Sequence, residues 1–191
     1  MTAFALLCLS ISSCGNNKKE VLSKVPIKNE IMGIKLGEEA SRSEIENAFS
    51  TAIGMDFRSY EQEQEKGKLI RTSTYIWNFQ YGGSAWTYAD ILLDEKNRVY
   101  DIEFSSSYES MESAKKQFDL LKASLVQKYG KYNIRRAPDK SVLKWTDGVT
   151  SIGLSHYEGR ALNGENRFFC TLFYVYDVLA NPYREQNAAD L

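Results

Sequence analysis

Apolar and polar residues alternate along several stretches of the chain, which is typical of β-strands. The longest stretch is Leu69–Tyr81, and its aromatic residues fall at every second position, namely Tyr75, Trp77, Phe79 and Tyr81. A glycine pair ends it, and residues 85–93 and 99–105 predict two further strands joined by a polar turn. Strands joined by such short turns pair antiparallel, so this region predicts a three-stranded meander.

A capping signal precedes each of two amphipathic stretches. Ser41 and Glu44 have the spacing of a capping box, and Ser110 is a candidate cap for a longer stretch that ends at Gly130. The apolar residues behind these caps keep helical spacing: Ile45, Ala48, Phe49 and Ala52 in the first stretch, and Ala114, Phe118, Leu121, Leu125 and Tyr129 in the second. Each stretch therefore predicts a helix with one buried side.

The order of elements then repeats. Three more alternating stretches follow the second helix, at residues 141–145, 150–157 and 167–176. Both halves read as a helix followed by three strands, and Trp77 and Trp145 each fall in the first predicted strand of their half.

Two smaller elements belong to the first half. A short strand is predicted at residues 31–36, and the charged run at residues 56–68 predicts a solvated connection. We therefore predict an α+β fold of tandem αβββ units, residues 30–106 and 107–178, with an antiparallel sheet and both helices packed on one face.

The beginning of the chain predicts membrane attachment. Residues 3–11 are apolar but too short to span a bilayer, and Ile11-Ser12-Ser13-Cys14 resembles a bacterial lipobox. The resemblance implies a signal peptide at residues 1–13 and acyl chains on Cys14 that hold the protein on a membrane. We expect residues 14–29 to form a flexible tether and residues 179–191 a tail. A buried N-terminal helix is the alternative.

Two details refine this expectation. No Lys or Arg precedes the apolar run, so we expect the translation start to lie upstream. Gly15 follows the cysteine, which resembles lipoproteins destined for the outer membrane of the cell envelope, with the leaflet left open. Cys170 would then be the one remaining thiol, and we expect it to be buried in a strand without a disulfide.

Composition and motifs weigh against several activities. Net charge is −1, with 24 basic and 25 acidic residues, so nucleic-acid binding is not expected. The chain has one histidine, His156, and lacks HExxH, CxxC, GxSxG and phosphate-loop patterns, so we expect no metal, no cofactor and no enzymatic activity. Asp101 and Glu103 share a strand face, which leaves a carboxylate-based hydrolase or carbohydrate-active domain as the alternative.

A binding surface follows from counting sheet faces. Two helices cover one face, and the apolar residues Tyr100, Ile102 and Phe104 are expected there with the aromatics of the first strand. The opposite face then carries the candidate partner-binding residues Thr74, Ile76, Asn78, Asp101 and Glu103, with Ser155 and Tyr157. We expect this face to bind an envelope protein or glycan; a solvated face without a partner and a small-ligand carrier are the alternatives. A basic cluster of Lys128, Lys131, Arg135 and Arg136 is interpreted as a solvated helix end, with a site for an anionic headgroup or partner as the alternative.

The capped helix after Leu36-Gly37, the aromatic strand YIWNFQY and the turn Asp94-Glu95-Lys96-Asn97 together resemble SmpA/OmlA-type outer-membrane lipoproteins. The doubling of that unit is similar to the β-lactamase inhibitor protein superfold. The resemblance implies protein binding through a sheet face or loops, without catalysis. It transfers no contact residue to this chain.

Overall fold

The computed structural model describes residues 20–53, 59–66, 69–136, 140–161 and 164–181, and within residues 50–78 it describes the backbone alone. Two helices are α1 (Arg42–Ile53) and α2 (Met111–Tyr129). The strands are β1 (Glu30–Ile31), β2 (Ile34–Lys35), β3 (Ser59–Lys66), β4 (Leu69–Tyr81), β5 (Ser84–Leu93), β6 (Val99–Tyr108), β7 (Asn133–Arg136), β8 (Ser141–Thr146), β9 (Thr150–Arg160) and β10 (Asn166–Tyr176).

One antiparallel sheet of eight strands organises the described chain, in the order β3-β4-β5-β6-β10-β9-β8-β7. Each half contributes a helix followed by a four-stranded meander, and the last strand of each meander pairs with the other at the centre of the sheet. Trp77 lies in β4 and Trp145 in β8, the second strand of each meander, so the two tryptophans occupy corresponding strands.

Both helices pack on the same face, which confirms the predicted α+β class. In α1, Phe49 meets Phe79 and Phe104 edge-on at centroid distances of 5.2 and 6.4 Å. In α2, Phe118 lies on His156 of β9 at 4.5 Å. One continuous apolar core joins these contacts to Trp145, whose indole N–H donates to the carbonyl of Gly130 at 3.0 Å.

Each half contributes one more strand to the large sheet than predicted. Residues 56–68 were expected to be a connection, but β3 lies within this run and pairs with β4 along its whole length. Residues of the expected basic cluster form β7, which pairs with β8. Both are edge strands, and an edge strand forms through backbone hydrogen bonds without the apolar alternation that marks inner strands.

The predicted strand at residues 31–36 is instead a tight hairpin. β1 pairs with β2, and the turn places Met32 and Gly33 at positive φ angles of 54° and 83°. These are the backbone angles that a two-residue hairpin turn requires. The hairpin buries Ile31, Ile34 and Leu36 in the core. Met32, which alternation predicted on the same face as Ile34 and Leu36, is only partly buried at the turn.

A bulge breaks the alternation at the start of β6. Leu93 is opposite Val99 while Leu92 is opposite Asp101, so Tyr100 is an extra residue on β6. Tyr100 was predicted in the helix-covered core. Because of the bulge, it instead packs with Val175 and Ala180 in a second cluster. Residues 177–181 form a helical turn that contributes to this cluster, so the chain stays packed beyond the expected start of the tail at residue 179.

The expected flexible tether is also packed in its described part. Residues 20–28, hereafter the strap, cross onto the second half of the sheet. Val21 N–H donates to Asn133 Oδ1 at 2.9 Å, Ser23 N–H to the carbonyl of Thr146 at 2.7 Å, and Ile27 N–H to Asp147 Oδ2 at 2.8 Å. Backbone groups of the strap are therefore satisfied by the folded domain, which fixes where the chain enters it.

Candidate functional site

A cavity of about 430 Å³ opens on the sheet face opposite the helices. Acidic, basic, polar and apolar side chains line it: Asp101, Glu103, Arg135, Arg136, Lys140, Val142, Lys144, Ser151 and Phe173. Asp101 and Glu103, singled out in the sequence as a same-face pair, do line a common surface. Arg135 and Arg136, expected in a separate cluster, lie opposite them on the same cavity.

The strand register explains how these residues meet. Glu103 on β6 is opposite Phe173 on β10, which is opposite Gly153 on β9, which is opposite Lys144 on β8. Residues directly opposite each other project to the same side of a sheet, so they form one row across it. Neighbouring strands are about 4.8 Å apart, which separates the acidic wall on β6 from Lys144 on β8 by about 14 Å. The cavity is thus negative on one side and positive on the other.

The floor between the two walls depends on a glycine. A Cβ atom placed on Gly153 would lie 1.8 Å from Cζ of Phe173 and 2.1 Å from Cε2. The Phe173 ring therefore occupies the space in which any side chain at position 153 would sit. Gly153 and Phe173 together make a flat apolar floor in an otherwise charged cavity.

The acidic wall contains a carboxyl group whose proton affinity is changed by its surroundings. Burial raises the pKa of Glu103 above its ordinary value of 4.5, and the positive charge of Lys140 lowers it in part. Glu103 consequently holds a proton at a higher pH than an exposed glutamate would. A protonated carboxyl group can donate a hydrogen bond, while an ionised one only accepts. Glu103 can therefore act as a donor or as an acceptor toward a ligand, depending on pH.

Lys144 anchors the basic wall, and its charge is compensated from two directions. Its side chain is 8% exposed, and Nζ lies 3.1 Å from Glu20 Oε1 and 3.7 Å from Asp177 Oδ2. The hydroxyl of Ser151 also donates to Asp177. Because a buried ammonium group is costly without partners, these two carboxylates explain how a lysine is kept inside the sheet face.

The other basic residues are more available to a ligand. Arg135 is exposed, with Nη2 4.0 Å from Glu20 Oε1. Arg136 is exposed as well and makes no ion pair among the described residues. Lys140 Nζ lies 4.6 Å above the ring of Tyr157. Arg135, Arg136 and Lys140 thus offer positive charge toward the cavity and its rim.

A ladder of hydroxyl groups borders the cavity. Tyr88, Ser105, Thr171 and Ser155 follow one another across β5, β6, β10 and β9. Ser105 Oγ and Thr171 Oγ1 are 3.2 Å apart, while Ser155 Oγ is buried without a hydrogen-bond partner in the described part of the chain. Burial raises the pKa of Tyr88 to about 12, so this phenol stays protonated. Along this ladder the face opposite the helices is therefore polar even where it is closed to solvent.

Other candidates from the sequence lie away from the cavity. His156 is half-buried under α2 on the helix-covered face, and burial lowers its pKa. Cys170 is buried in β10, where burial raises the pKa of the thiol to about 12. Lys128 lies over the ring of Tyr129 at 5.0 Å and, like the exposed Lys131, does not line the cavity, so the expected basic cluster is divided.

Three of the predicted binding residues lie in β4, where only the backbone is described. Thr74 pairs with Ile91 and Ile76 with Ala89, while Asn78 has no residue directly opposite it in the β4–β5 register. Ile91 and Ala89 lie opposite Ile102 and Phe104 of β6 in the helix-covered core, so the register puts Thr74 and Ile76 in the rows of that core and not in those of Asp101 and Glu103. The backbone register therefore does not support the face that these residues were predicted to share with the two acids. Cys14 lies outside the described residues, so its acylation stays a prediction.

Sequence reasoning missed Lys140, Lys144, Ser151 and Phe173, although two signals were present. Lys144 is a charge inside an apolar strand, and Gly153 is a glycine inside a strand, which is typical of a close approach by another group. Neither signal identifies the partner, because that depends on the register between strands. Phe173 in particular was one aromatic residue among several in the most apolar strand of the chain.

Neither described helix combines the length and the apolarity needed to cross a bilayer. Among the residues whose placement is described, no group of three or more His, Cys, Asp and Glu side chains is arranged to hold a metal ion. No protein-family model, curated protein or solved structure matches this chain.

Proposed function

We propose that this protein is a lipid-anchored, non-enzymatic binding module of the bacterial cell envelope, which captures a protein or glycan partner in the cavity opposite its helices. The single observation that carries the binding role is the polarised cavity, with Asp101 and Glu103 facing four basic side chains across the Phe173 floor. The lipobox-like sequence ending at Cys14 carries the anchoring role.

The cavity suits a ligand with both charges and an apolar part. The strands that carry Glu103 and Lys144 are about 14 Å apart, and a cavity of about 430 Å³ is large enough for side chains of a protruding loop or for a sugar unit. Acidic and basic groups on opposite walls would orient such a ligand, because reversing it would bring like charges together. Apolar contact with the floor would contribute affinity, while the charges determine which partner is accepted.

Partner capture tests the binding role. The purified domain would be cross-linked to detergent-solubilised envelope, and captured proteins or glycans compared between wild type and Asp101→Lys/Glu103→Lys. Glu95→Lys/Glu112→Lys is the matched control, since both glutamates are exposed and lie away from the cavity. We expect capture to be lost with the first pair and kept with the second. Equal capture by all three proteins would contradict the proposal.

Acyl labelling tests the anchoring role separately. Wild-type protein expressed in a Gram-negative host should incorporate a labelled fatty acid and sediment with membranes, and Cys14→Ser should lose the label. Labelling that persists in Cys14→Ser would show that the acyl group is not on Cys14 and would contradict the proposed anchor.

A carboxylate-based hydrolase is the second candidate, and the raised pKa of Glu103 beside Asp101 favours it. Glycosidases use one protonated and one ionised carboxyl group, and these two residues could provide such a pair. Turnover of chromogenic glycosides distinguishes the candidates. We expect no turnover above buffer; a rate that is abolished by both Glu103→Gln and Asp101→Asn would establish the hydrolase instead.

A further inference from the structure

An exposed patch at the free edge of the sheet combines aliphatic and basic side chains. It consists of Val21, Leu22, Lys131, Ile134, Arg135 and Arg136, hereafter the edge patch. Leu22 is 58% exposed and Ile134 60%, although both are aliphatic residues. Aliphatic side chains flanked by Lys and Arg are the composition of surfaces that lie on membranes.

Specific contacts hold the edge patch together. Val21 N–H donates to Asn133 Oδ1 at 2.9 Å, and Asn133 Nδ2 donates back to the carbonyl of Val21 at 2.8 Å. Glu20 reaches Lys144 at 3.1 Å and Arg135 at 4.0 Å. The strap is thereby fixed beside β7, so its aliphatic side chains lie along the same edge of the sheet as β7, where Ile134 and Arg135 alternate between the two sides of that edge.

The length of chain before the strap limits how far this surface can lie from the proposed anchor. Residues 15–19 link Cys14 to Glu20, which is six Cα-to-Cα steps. A chain of six steps spans at most about 22 Å when fully extended. An acyl group on Cys14 would therefore keep Glu20, and the edge patch beside it, within that distance of the bilayer.

We propose that the edge patch docks on the membrane surface, with Leu22 and Ile134 entering the headgroup region and Arg135, Arg136 and Lys131 contacting anionic lipids. The proposal rests on the anchoring part of the proposed function for its choice of a membrane as the occupant. Charge complementarity and the short link favour the membrane over a second copy of this chain, whose own edge patch would bring like charges together.

Vesicle flotation tests the docking without the anchor. Full-length Cys14→Ser protein would be mixed with phosphatidylcholine vesicles, with and without phosphatidylglycerol. We expect binding to the anionic vesicles that weakens as salt is added. Arg135→Gln/Arg136→Gln should lower the partition coefficient about 30-fold, at about 1 kcal/mol for each basic residue near an anionic surface. The control Lys96→Gln/Lys116→Gln changes two exposed lysines outside the edge patch and should leave the coefficient within about two-fold.

A depth measurement tests the aliphatic contact. Ile134→Cys and Leu120→Cys, in a Cys8→Ser/Cys14→Ser background, would be labelled with a fluorophore and mixed with brominated lipid. Both positions are 60% exposed, and Leu120 on α2 lies outside the edge patch. Cys170 is buried and would label slowly. Quenching at position 134 but not at position 120 is the expected result; equal quenching at both would overturn the orientation.

The outcomes separate this inference from the proposed function. If wild type is acylated but the Cys14→Ser protein ignores anionic vesicles, the docking fails and the anchor stands. If Cys14 is not acylated but the Cys14→Ser protein binds vesicles through its arginines, the anchor fails and the docking stands. Sedimentation that shows a dimer sensitive to Arg135→Gln/Arg136→Gln, without vesicle binding, would overturn docking in favour of a second copy.

Discussion

Consecutive residues of β6 supply the two faces of the sheet, and these faces are built on different principles. Ile102 and Phe104 point to the helices and are fully buried among apolar side chains. Glu103 and Ser105 point the other way, where Ser105 is equally buried but has a hydroxyl neighbour in Thr171. The helix-covered face buries mainly apolar side chains, while the other face combines a small apolar cluster with polar groups placed where water is largely excluded.

The difference teaches where stability and recognition reside. Apolar burial is favourable wherever the shapes fit, so the helix-covered face can tolerate no large loss of volume. Buried polar groups contribute little net stability and are costly when unmatched. Their presence on the second face therefore indicates selection for something other than stability, and the cavity is located there.

The largest expected effect is on the helix-covered face. Trp145→Ala should lower the free energy of unfolding by about 3–5 kcal/mol, because the indole is completely buried and its N–H bond to Gly130 is lost. Denaturant titration measures this value. The control Trp145→Phe keeps most of the ring contacts and should cost less. A loss below about 1 kcal/mol for Trp145→Ala would break the assignment of stability to this face.

Gly153→Ala should have the next largest effect and should act on the other face. The new methyl group would collide with the Phe173 ring, which should cost about 1–3 kcal/mol and disturb the cavity floor. Gly159→Ala on the same strand is the control, since its Cβ would approach the nearest atom only to 3.2 Å. Adding Phe173→Leu to Gly153→Ala should restore stability. No difference between the two glycine variants would contradict the described floor.

Glu103→Gln should change how stability depends on pH. The folded state raises the pKa of Glu103, so it binds more protons than the unfolded state, and this group makes the protein less stable as pH rises from about 4.5 to the folded pKa. The variant should lack that decrease. It should therefore be more stable than wild type above this window and equal to it below pH 4.5. Parallel curves of unfolding free energy against pH would contradict the raised pKa.

Ser155→Ala should have the smallest effect. Its buried hydroxyl has no hydrogen-bond partner among the described residues, so removing it should leave the free energy of unfolding within about 0.5 kcal/mol or increase it. Ser151→Ala is the control, because that hydroxyl donates to Asp177 and its loss should cost more than about 1 kcal/mol. A large loss for Ser155→Ala would mean that the ladder is a connected network.

Most of the fold could be predicted from local patterns. The Ser41–Glu44 capping box forms as expected, with Ser41 N–H donating to Glu44 Oε2 at 2.8 Å, and Ser110 caps α2 through its contact with the Ser113 N–H. The inner strands also form where their alternation predicts them, and Leu69–Tyr81 matches its predicted bounds. These signals are local because a cap or a buried strand face is determined within a few residues.

The errors share a physical cause. β3 and β7 are edge strands held by backbone pairing, and the strap is held by side-chain acceptors more than 100 positions away, such as Asn133 for Val21. Tyr100 changed faces because it is the extra residue of a bulge, at which the alternation of β6 is interrupted. None of these features leaves a mark in hydrophobic periodicity.

The candidate site was only half predictable for the same reason. Asp101 and Glu103 are two positions apart on one strand, so their common face follows from alternation alone. Their meeting with Lys144 requires the order β6-β10-β9-β8, in which the central pair joins the two halves. Hydrophobic periodicity does not determine the order of strands in a sheet. The position of Lys144 opposite the two acids therefore did not follow from the sequence.

That central pair also has a consequence for how the chain folds. Every neighbouring pair of strands in the large sheet is consecutive along the chain except β6 and β10, where Ser105 and Thr171 meet across 66 positions. Each meander can form from local contacts, whereas joining them requires closing a long loop, so we expect that step to limit the folding rate. Cleavage of the chain between β6 and α2 would convert this step into a meeting of two fragments, and recovery of the native state would then become concentration-dependent. The strap, which crosses from the first fragment to the second, would give the reassembled pair a second point of attachment.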